Sequence, residues 1–469
     1  GRGTLMRPAA LPHYTAVVWT AIGGTPQKMG TLVLSDDRMV MTYDEDYLAS
    51  GLPRMSLIDD VATEVAPFFE YPVTERMPML PRLRALVPGN NPRNLQRAHY
   101  LKALQRKMGT PPAKGIDTEW ALLLMGGHGG VGHVDVFQDD RAALAWYDRE
   151  INLRSFTANM GRSELWRFLR EQILDESNGF TPHDLRDVMG NTPSVGGMIP
   201  KLLVSMDVGR DDTTLYPPGA PGKVDVLLKI EPPEYQGLLA LEAMCLDIHR
   251  EHGLDTPGYR YFEQEDLRFL AVERFDRPTI QPVESLFSVI ATGDHRVQGM
   301  GDVMLEDLGG ILRRLSQVVE LAPDTGTDLF QRFILAYLTG NGDLHLENLS
   351  LLGGKNGCRL APVYDPAPMR AWARHDLVSA IGYDAQSYPD EASVFVELGR
   401  ALGLSRAKID AIVEQSLETT RDYAERVADC AVINDGQRHR LSTIAIAAKE
   451  TLQAQLRHTA KSVLRENLR

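Results

Sequence analysis

Asp343, Asn348 and Asp365 are the residues whose types and spacing could do chemistry. They lie in Asn341-Gly342-Asp343-Leu344-His345-Leu346-Glu347-Asn348-Leu349 and in Ala361-Pro362-Val363-Tyr364-Asp365. Transfer of a phosphoryl group needs a base for the attacking hydroxyl and hard oxygen ligands for Mg²⁺, which takes few protein ligands when nucleotide phosphates supply the rest. Asp343 is the candidate base, with Asn348 and Asp365 the candidate metal ligands. Between them, Ser350-Leu351-Leu352, the turn Gly353-Gly354-Lys355-Asn356-Gly357 and Cys358-Arg359-Leu360 read as a β-hairpin. A hairpin brings its open ends together, so Asn348 and Asp365 should meet. Asp, Asn and Gly also gather in turns for backbone reasons alone. Here, however, the polar cluster is embedded in apolar sequence. Phe330, Phe333, Ile334, Tyr337 and Leu338 recur at helical spacing and predict a buried helix that delivers Asn341 to the rim of a core.

Other elements must hold the reacting groups. A helix is expected around Ser163 to Glu176, followed by Thr192-Pro193-Ser194-Val195-Gly196-Gly197-Met198-Ile199-Pro200-Lys201 and the apolar run Leu202-Leu203-Val204. A glycine pair leading into a strand lets backbone N–H groups approach phosphate oxygens. Val224 to Ile230 reads as an apolar strand whose one basic residue is Lys229, and Leu238 to His249 reads as a helix carrying Glu242, a possible partner for that lysine. Phe269 to Arg277 reads as a buried strand with a charged end, suited to a hinge where backbone groups near Glu273 and Phe275 could hold an adenine edge. Beyond Arg277, apolar periodicity over 301–320, 326–339, 390–403, 406–430 and 437–466 predicts a helical lobe. Towards the N-terminus, Tyr14 to Trp19 and Thr31 to Leu34 read as strands around a Gly-Gly turn, and Gly132 to Phe137 alternates. Breakers cluster from Val87 to Pro92. The glycine-rich run Gly126 to Gly132 lacks the GxxxxGK[ST] pattern and leads into a strand, whereas phosphate loops open a helix, so a structural role is expected.

The 469 residues exceed the size at which one hydrophobic core usually stops growing, which predicts two or three domains. Hydrophobic residues make up 43% and charged residues 24%, near the average for soluble globular proteins, and no run approaches a membrane span. No apolar export signal is visible in Gly1 to Met6, and Gly-Arg-Gly reads as an added leader ahead of a native Met6. Three scattered cysteines, Cys245, Cys358 and Cys430, fit neither a disulfide framework nor a C-x-x-C metal site, so a reducing cytoplasm is expected. A net charge of −13, from 63 acidic and 50 basic residues, opposes strong autonomous binding to nucleic acid.

The D-x-x-x-x-N spacing of Asp343 and Asn348 resembles the catalytic loop of protein kinases. With the glycine loop at Ser194–Gly197, Pro200-Lys201, Leu228-Lys229, Ala271 to Arg277, Asn341 to Asn348 and Ala361 to Asp365 in this order, the chain is similar to the HipA-like serine/threonine kinases, toxins of bacterial toxin–antitoxin modules. That resemblance implies an α+β, protein-kinase-like two-lobed fold with an additional N-terminal β-rich subdomain (1–150), a small lobe (151–276) and an α-helical large lobe (277–469). It also implies ATP and Mg²⁺ as cofactors and transfer to a protein serine. Asp343 would be the base, Asn348 and Asp365 the Mg²⁺ ligands, and Lys229 the phosphate contact paired to Glu242. The nucleotide would also meet Ser194, Val195, Gly196, Gly197, Lys201, Glu273, Phe275 and His345, of which His345 would orient the loop or merely pack. Ser194 matches the loop serine that family members autophosphorylate, and phosphate there would repel nucleotide phosphates. Aminoacyl-tRNA synthetases are the family's substrate class. A helix-turn-helix antitoxin would be a partner, with DNA contacted only through it. Where the family places a basic residue before the last Asn, this chain has Glu347, which adds negative charge beside the metal site. Two other readings are open: a degenerate kinase serving as co-repressor with the antitoxin, and a small-molecule or lipid kinase, since the loop is shared across these folds.

Overall fold

The computed structural model describes residues 13–59, 66–90, 94–148, 199–207, 211–264 and 266–468. The helix expected over Ser163–Glu176 and the glycine loop Ser194–Gly197 lie outside the described residues.

Antiparallel pairing builds the N-terminal part. Strands β1 (His13–Thr20) and β2 (Gln27–Ser35) turn through Gly23 and Gly24, at φ 84° and 92°, where a side chain would be strained. Next come β3 (Arg38–Tyr43), α1 (Glu45–Ser50), β4 (Phe68–Pro72), α2 (Pro81–Arg84), α3 (Leu95–Met108), α4 (Ile116–Gly126), β5 (Asp135–Phe137) and α5 (Asp140–Tyr147). The return of β5 to β1 completes a five-stranded sheet in the order β4-β3-β2-β1-β5. Ala16, Val18, Leu32, Leu34, Met39 and Met41 point to one buried face, the period-two pattern of a half-covered sheet. Only the second half of the Gly132–Phe137 segment is strand. Gly132 sits at φ 88° and gives its amide to Asp276 Oδ2 at 2.8 Å. Arg274 and Arg277 reach the carbonyls of Gly130 and Gly132, each at 2.9 Å, so the glycine-rich run docks this part of the chain onto the hinge.

A second antiparallel sheet contains β6 (Lys201–Met206), β7 (Val224–Ile230), β8 (Tyr259–Gln264) and β9 (Leu267–Glu273), in the order β6-β7-β9-β8. Leu202, Val204, Val226, Leu228 and Phe269 form its core. On the other face, α6 (Leu238–Glu251) lays Leu239 and Leu246 against Leu270 and Val272. The strand expected as far as Arg277 stops at Glu273, because the buried Asp276 carboxylate collects Arg274 and Arg277 and turns the chain.

Helices dominate the remainder: β10 (Val283–Ser285), α7 (Leu286–Gly293), α8 (Leu308–Leu315), α9 (Thr325–Thr339), β11 (Ser350–Gly354), β12 (Gly357–Leu360), α10 (Glu391–Ala401), α11 (Arg406–Thr419), α12 (Tyr423–Ala428) and α13 (Asp435–Asn467). Two periodic stretches are shorter or broken in the structure. The 301–320 stretch contracts to α8 preceded by two 3₁₀ turns, and 406–430 divides after Thr419 into α11 and α12. One hydrophobic core runs from the N-terminal sheet through α7, α9 and α10 to α13. The architecture is α+β and protein-kinase-like, with two lobes, an added N-terminal β-rich part and a helical C-terminal lobe. Among the described residues no helix is long and apolar enough to cross a membrane.

Candidate active site

The apolar stripe of α9 is fully inside: Phe330, Phe333, Ile334, Tyr337 and Leu338 are all buried. Gly340 ends the helix in the left-handed conformation, at φ 79°, and the chain leaves through Asn341, whose amide still bonds to Ala336 O at 2.9 Å. Asn341 Oδ1 accepts the Asp343 N–H at 3.0 Å, a local Asx turn that presents the Asp343 side chain outwards. Asn348 Nδ2 donates to the Asp343 main-chain oxygen at 2.8 Å, and the Glu347 N–H donates to His345 Nδ1 at 3.1 Å. His345, accepting at Nδ1, thus stitches the loop. Leu346 and Leu349 anchor the loop in the core, and the first amides of α7 grip its backbone: Leu286 N–H to Leu349 O at 2.8 Å and Phe287 N–H to Leu346 O at 3.3 Å.

The hairpin lies where the turn residues placed it, with β11 pairing β12 from Leu351↔Leu360 to Gly354↔Gly357. Tyr364 holds its open end, donating to Glu347 O and sharing a hydrogen bond with Ser350 Oγ, both at 2.7 Å. The residue before Asp365 is thereby tied to the residue before Asn348. Asp365 itself is at φ 52°, a left-handed conformation that few non-glycine residues adopt and that recurs at functional positions.

Lys229 lies between Glu242 Oε1 and Asp365 Oδ1, and Lys201 reaches Asp365 Oδ2 at 3.3 Å. Because β6 and β7 pair Lys201 directly opposite Lys229, two like charges face each other, an arrangement that costs stability unless anions lie between them. Asp365 and Glu242 supply those anions. Burial works against the Lys229 ammonium, but the two carboxylates outweigh it and hold its pKa above the usual value. Burial likewise opposes the Asp365 carboxylate, yet Lys201 and Lys229 keep its pKa well below the ordinary range. Glu242, buried on α6, is pushed up by desolvation. Asp343 remains solvent-accessible at the mouth of the cleft, yet the surrounding protein desolvates it enough to raise its carboxyl pKa, and Asp365 adds to that rise.

A metal cage made from protein alone is not present: among the described residues no group of three or more His, Cys, Asp or Glu is placed to hold a metal. Two oxygen ligands that lean on phosphate for the rest fit Mg²⁺ instead. The amide nitrogen of Asn348 donates to Asp343 O, so the side-chain oxygen is the atom it could offer a cation. At the hinge the Glu273 N–H donates to Gly258 O at 2.8 Å and the Arg274 N–H to Asp225 O at 2.9 Å. The Phe275 ring lies 6.1 Å from that of Tyr364.

Two features were not read from the sequence. The Glu347 charge is answered, since Arg84 Nη2 lies 3.5 Å from its Oε1. The segment after Asp365 also straps the lobes together. Tyr235 OH bonds to His375 Nε2 at 2.9 Å and Arg374 pairs with Glu234 at 3.1 Å, while Asp376 pairs with Arg370 and Arg440. Gly342 packs so closely under Leu377 O that a Cβ would lie 2.0 Å from it. The aromatic residues Tyr364 and Trp372 around Asp365 were the available signal.

A lysine–glutamate pair in the small lobe, facing a D-x-x-x-x-N loop and an aspartate across a cleft, defines a kinase-like site. Residues 193–424 match the family model of the HipA-like C-terminal domain. Two curated proteins are similar in sequence. A Haemophilus influenzae protein named "Putative kinase" is 29% identical over 240 residues, covering 45% of this chain and 68% of its own length. "Putative kinase Y4dM" of Sinorhizobium fredii is 25% identical over 224 residues, covering 43% of this chain and half of its own. Among solved structures, the Shewanella oneidensis toxin–antitoxin complex of HipA, HipB and operator DNA contains a chain that superposes with a TM-score of 0.60 at 17% identity, over 93% of this chain and 97% of that one. The chain therefore has the HipA fold along nearly its whole length.

Proposed function

We propose that the protein is an ATP- and Mg²⁺-dependent kinase that transfers phosphate to protein serine or threonine. The observation that carries this reading is Lys229, set between Glu242 and Asp365, with Asp365 in electrostatic reach of Asp343 on the self-bonded Asp343–Asn348 loop. In this role Lys229, held by Glu242, would offer its ammonium to a nucleotide phosphate. Asp365 and Asn348 Oδ1 would hold the metal, with Lys201 as a second cation available to phosphate. Bound Mg²⁺ supplies charge neutralisation and orientation of the terminal phosphoryl group. Asp343 accepts the acceptor's proton, and its raised pKa makes it a better base than an ordinary aspartate. The strap from Trp372 to Leu377 packs against Gly342, the residue before this base.

The acceptor class implied by the resemblance is a translation component such as an aminoacyl-tRNA synthetase. Self-phosphorylation at Ser194, outside the described residues, belongs to the same reading. The similarity to a chain of the HipA–HipB–operator complex supports a DNA-binding antitoxin as partner. Labelled ATP and intact mass provide the test: the protein should gain one phosphate in the presence of Mg²⁺, and Asp343→Gln should gain none. Equal labelling of both would remove Asp343 from the role of base. Nucleotide binding with no turnover on self or lysate protein would replace the kinase reading with that of a co-repressor, and labelling of small molecules or lipid alone would replace the protein acceptor.

A further inference from the structure

We infer that Arg84, in the N-terminal β-rich part, is a positioning residue for the catalytic loop, holding the Glu347 carboxylate away from the metal ligands. The inference rests on the kinase reading and extends it to a residue more than two hundred positions upstream. Arg84 closes α2, whose Pro81, Arg82 and Leu83 are buried, so its backbone is fixed by the N-terminal core. Its guanidinium lies over the Phe287 ring at 4.9 Å and reaches Glu347 Oε1 at 3.5 Å. Phe287 is itself a holder of the loop, since its N–H and that of Leu286 bind Leu346 O and Leu349 O on either side of Glu347. One arginine thus touches both the loop and the helix end that grips it.

Position makes the Glu347 charge consequential. It adjoins Asn348, and its main-chain oxygen is the acceptor for Tyr364, the neighbour of Asp365. A carboxylate released at this point can swing towards a cation and compete with the two ligands. Both side chains of the pair are about one third exposed, at 34% and 37%, so the ion pair adds little to stability. Its effect is on where the carboxylate sits. The cation–π contact with Phe287 restrains the guanidinium, which is what a positioning role requires.

Arg84→Met, which keeps an apolar stem over Phe287, Glu347→Gln, and the double variant test this. Hydrogen exchange is followed at the amides of 343–349 in the nucleotide-free protein, and the Mg²⁺ dependence of phosphate transfer is measured alongside thermal unfolding. In Arg84→Met the loop amides should exchange faster, and the half-saturating Mg²⁺ should shift by about tenfold, the scale of residues that orient metal ligands, with the ATP KM and Tm little changed. The double variant, with no carboxylate to restrain, should return to the Mg²⁺ dependence of Glu347→Gln. Unchanged exchange and Mg²⁺ dependence in Arg84→Met would overturn the inference. So would a fall in Tm with no change in either, which marks a purely structural contact, or a double variant no better than Arg84→Met. A wild-type protein without transfer activity would refute the kinase reading instead, and the exchange measurement would still judge the Arg84 contact.

Discussion

Asp365 answers to two different charges. In the structure it neutralises Lys229 and Lys201, while the proposed reaction asks it to face a cation. Its depressed pKa means that the folded state holds the carboxylate ionised more strongly than the unfolded chain does. The stabilisation is therefore fully present above the ordinary carboxylate pKa near 3.8 and is lost as pH falls through the lower folded value. Asp365→Asn leaves the Lys229 ammonium, 5% exposed, with Glu242 alone. Breaking a buried pair on one side typically costs on the order of 3 kcal/mol. Chemical denaturation at pH 7 should show a loss of that size together with loss of phosphate transfer, and the stability difference between the two proteins should shrink below about pH 4. An equally stable variant would mean that the lysines find other partners.

At the scale of the element, the hairpin does the positioning and Tyr364 fastens it. Tyr364→Phe removes one hydroxyl that serves Glu347 O and Ser350 Oγ. The expected cost is about 1 kcal/mol in denaturant unfolding. A fall in kcat larger than any change in the ATP KM should accompany it, because the hairpin's open ends would no longer be registered; an unchanged kcat would show that strand pairing alone suffices. This hairpin was legible in the sequence because its signal is local: a glycine-rich turn between two short apolar runs. The helix Leu286–Gly293 was not. From Leu286 to Thr292 every residue is buried, so it carries no amphipathic period to read. Likewise, the 301–320 reading ran long because Leu305 lies in a 3₁₀ turn and Val303 in the extended residues between two such turns, both buried without extending a helix. Of the candidate site, the residue types and the loop spacing were readable. The strap contacts of His375 and the placing of Lys201 opposite Lys229 depend on long-range pairing, which no local pattern encodes.

For the molecule as a whole, one core links the N-terminal sheet to the helical lobe, a continuity invisible in a sequence whose two parts are separated by the small lobe. Two buried histidines lie at different points of the structure. His133 Nε2–H donates to Arg54 O, and burial lowers its pKa to about 3; His249 Nδ1–H donates to Cys245 O, and its pKa is lowered, again chiefly by burial, to about 4. Between the unfolded value of 6.5 and about 4 the unfolded chain binds a proton at each that the folded protein refuses. Stability must then rise with pH across that window, by roughly 1.4 kcal/mol per pH unit for each histidine. Calorimetric scans from pH 7 to pH 4.5 should show Tm falling steadily as acid is added. A flat profile would require both rings to gain protons without unfolding.

On the kinase reading, the lysine pair around Asp365 predicts an order of arrival. While both ammonium groups occupy its oxygens, a bare divalent ion meets a carboxylate already spoken for, and only an incoming polyphosphate can draw the lysines away. Titrating Mg²⁺ alone should therefore give almost no heat, whereas nucleotide already carrying its metal should dock in a single step. Tight uptake of the lone ion would mean that the salt bridges open by themselves.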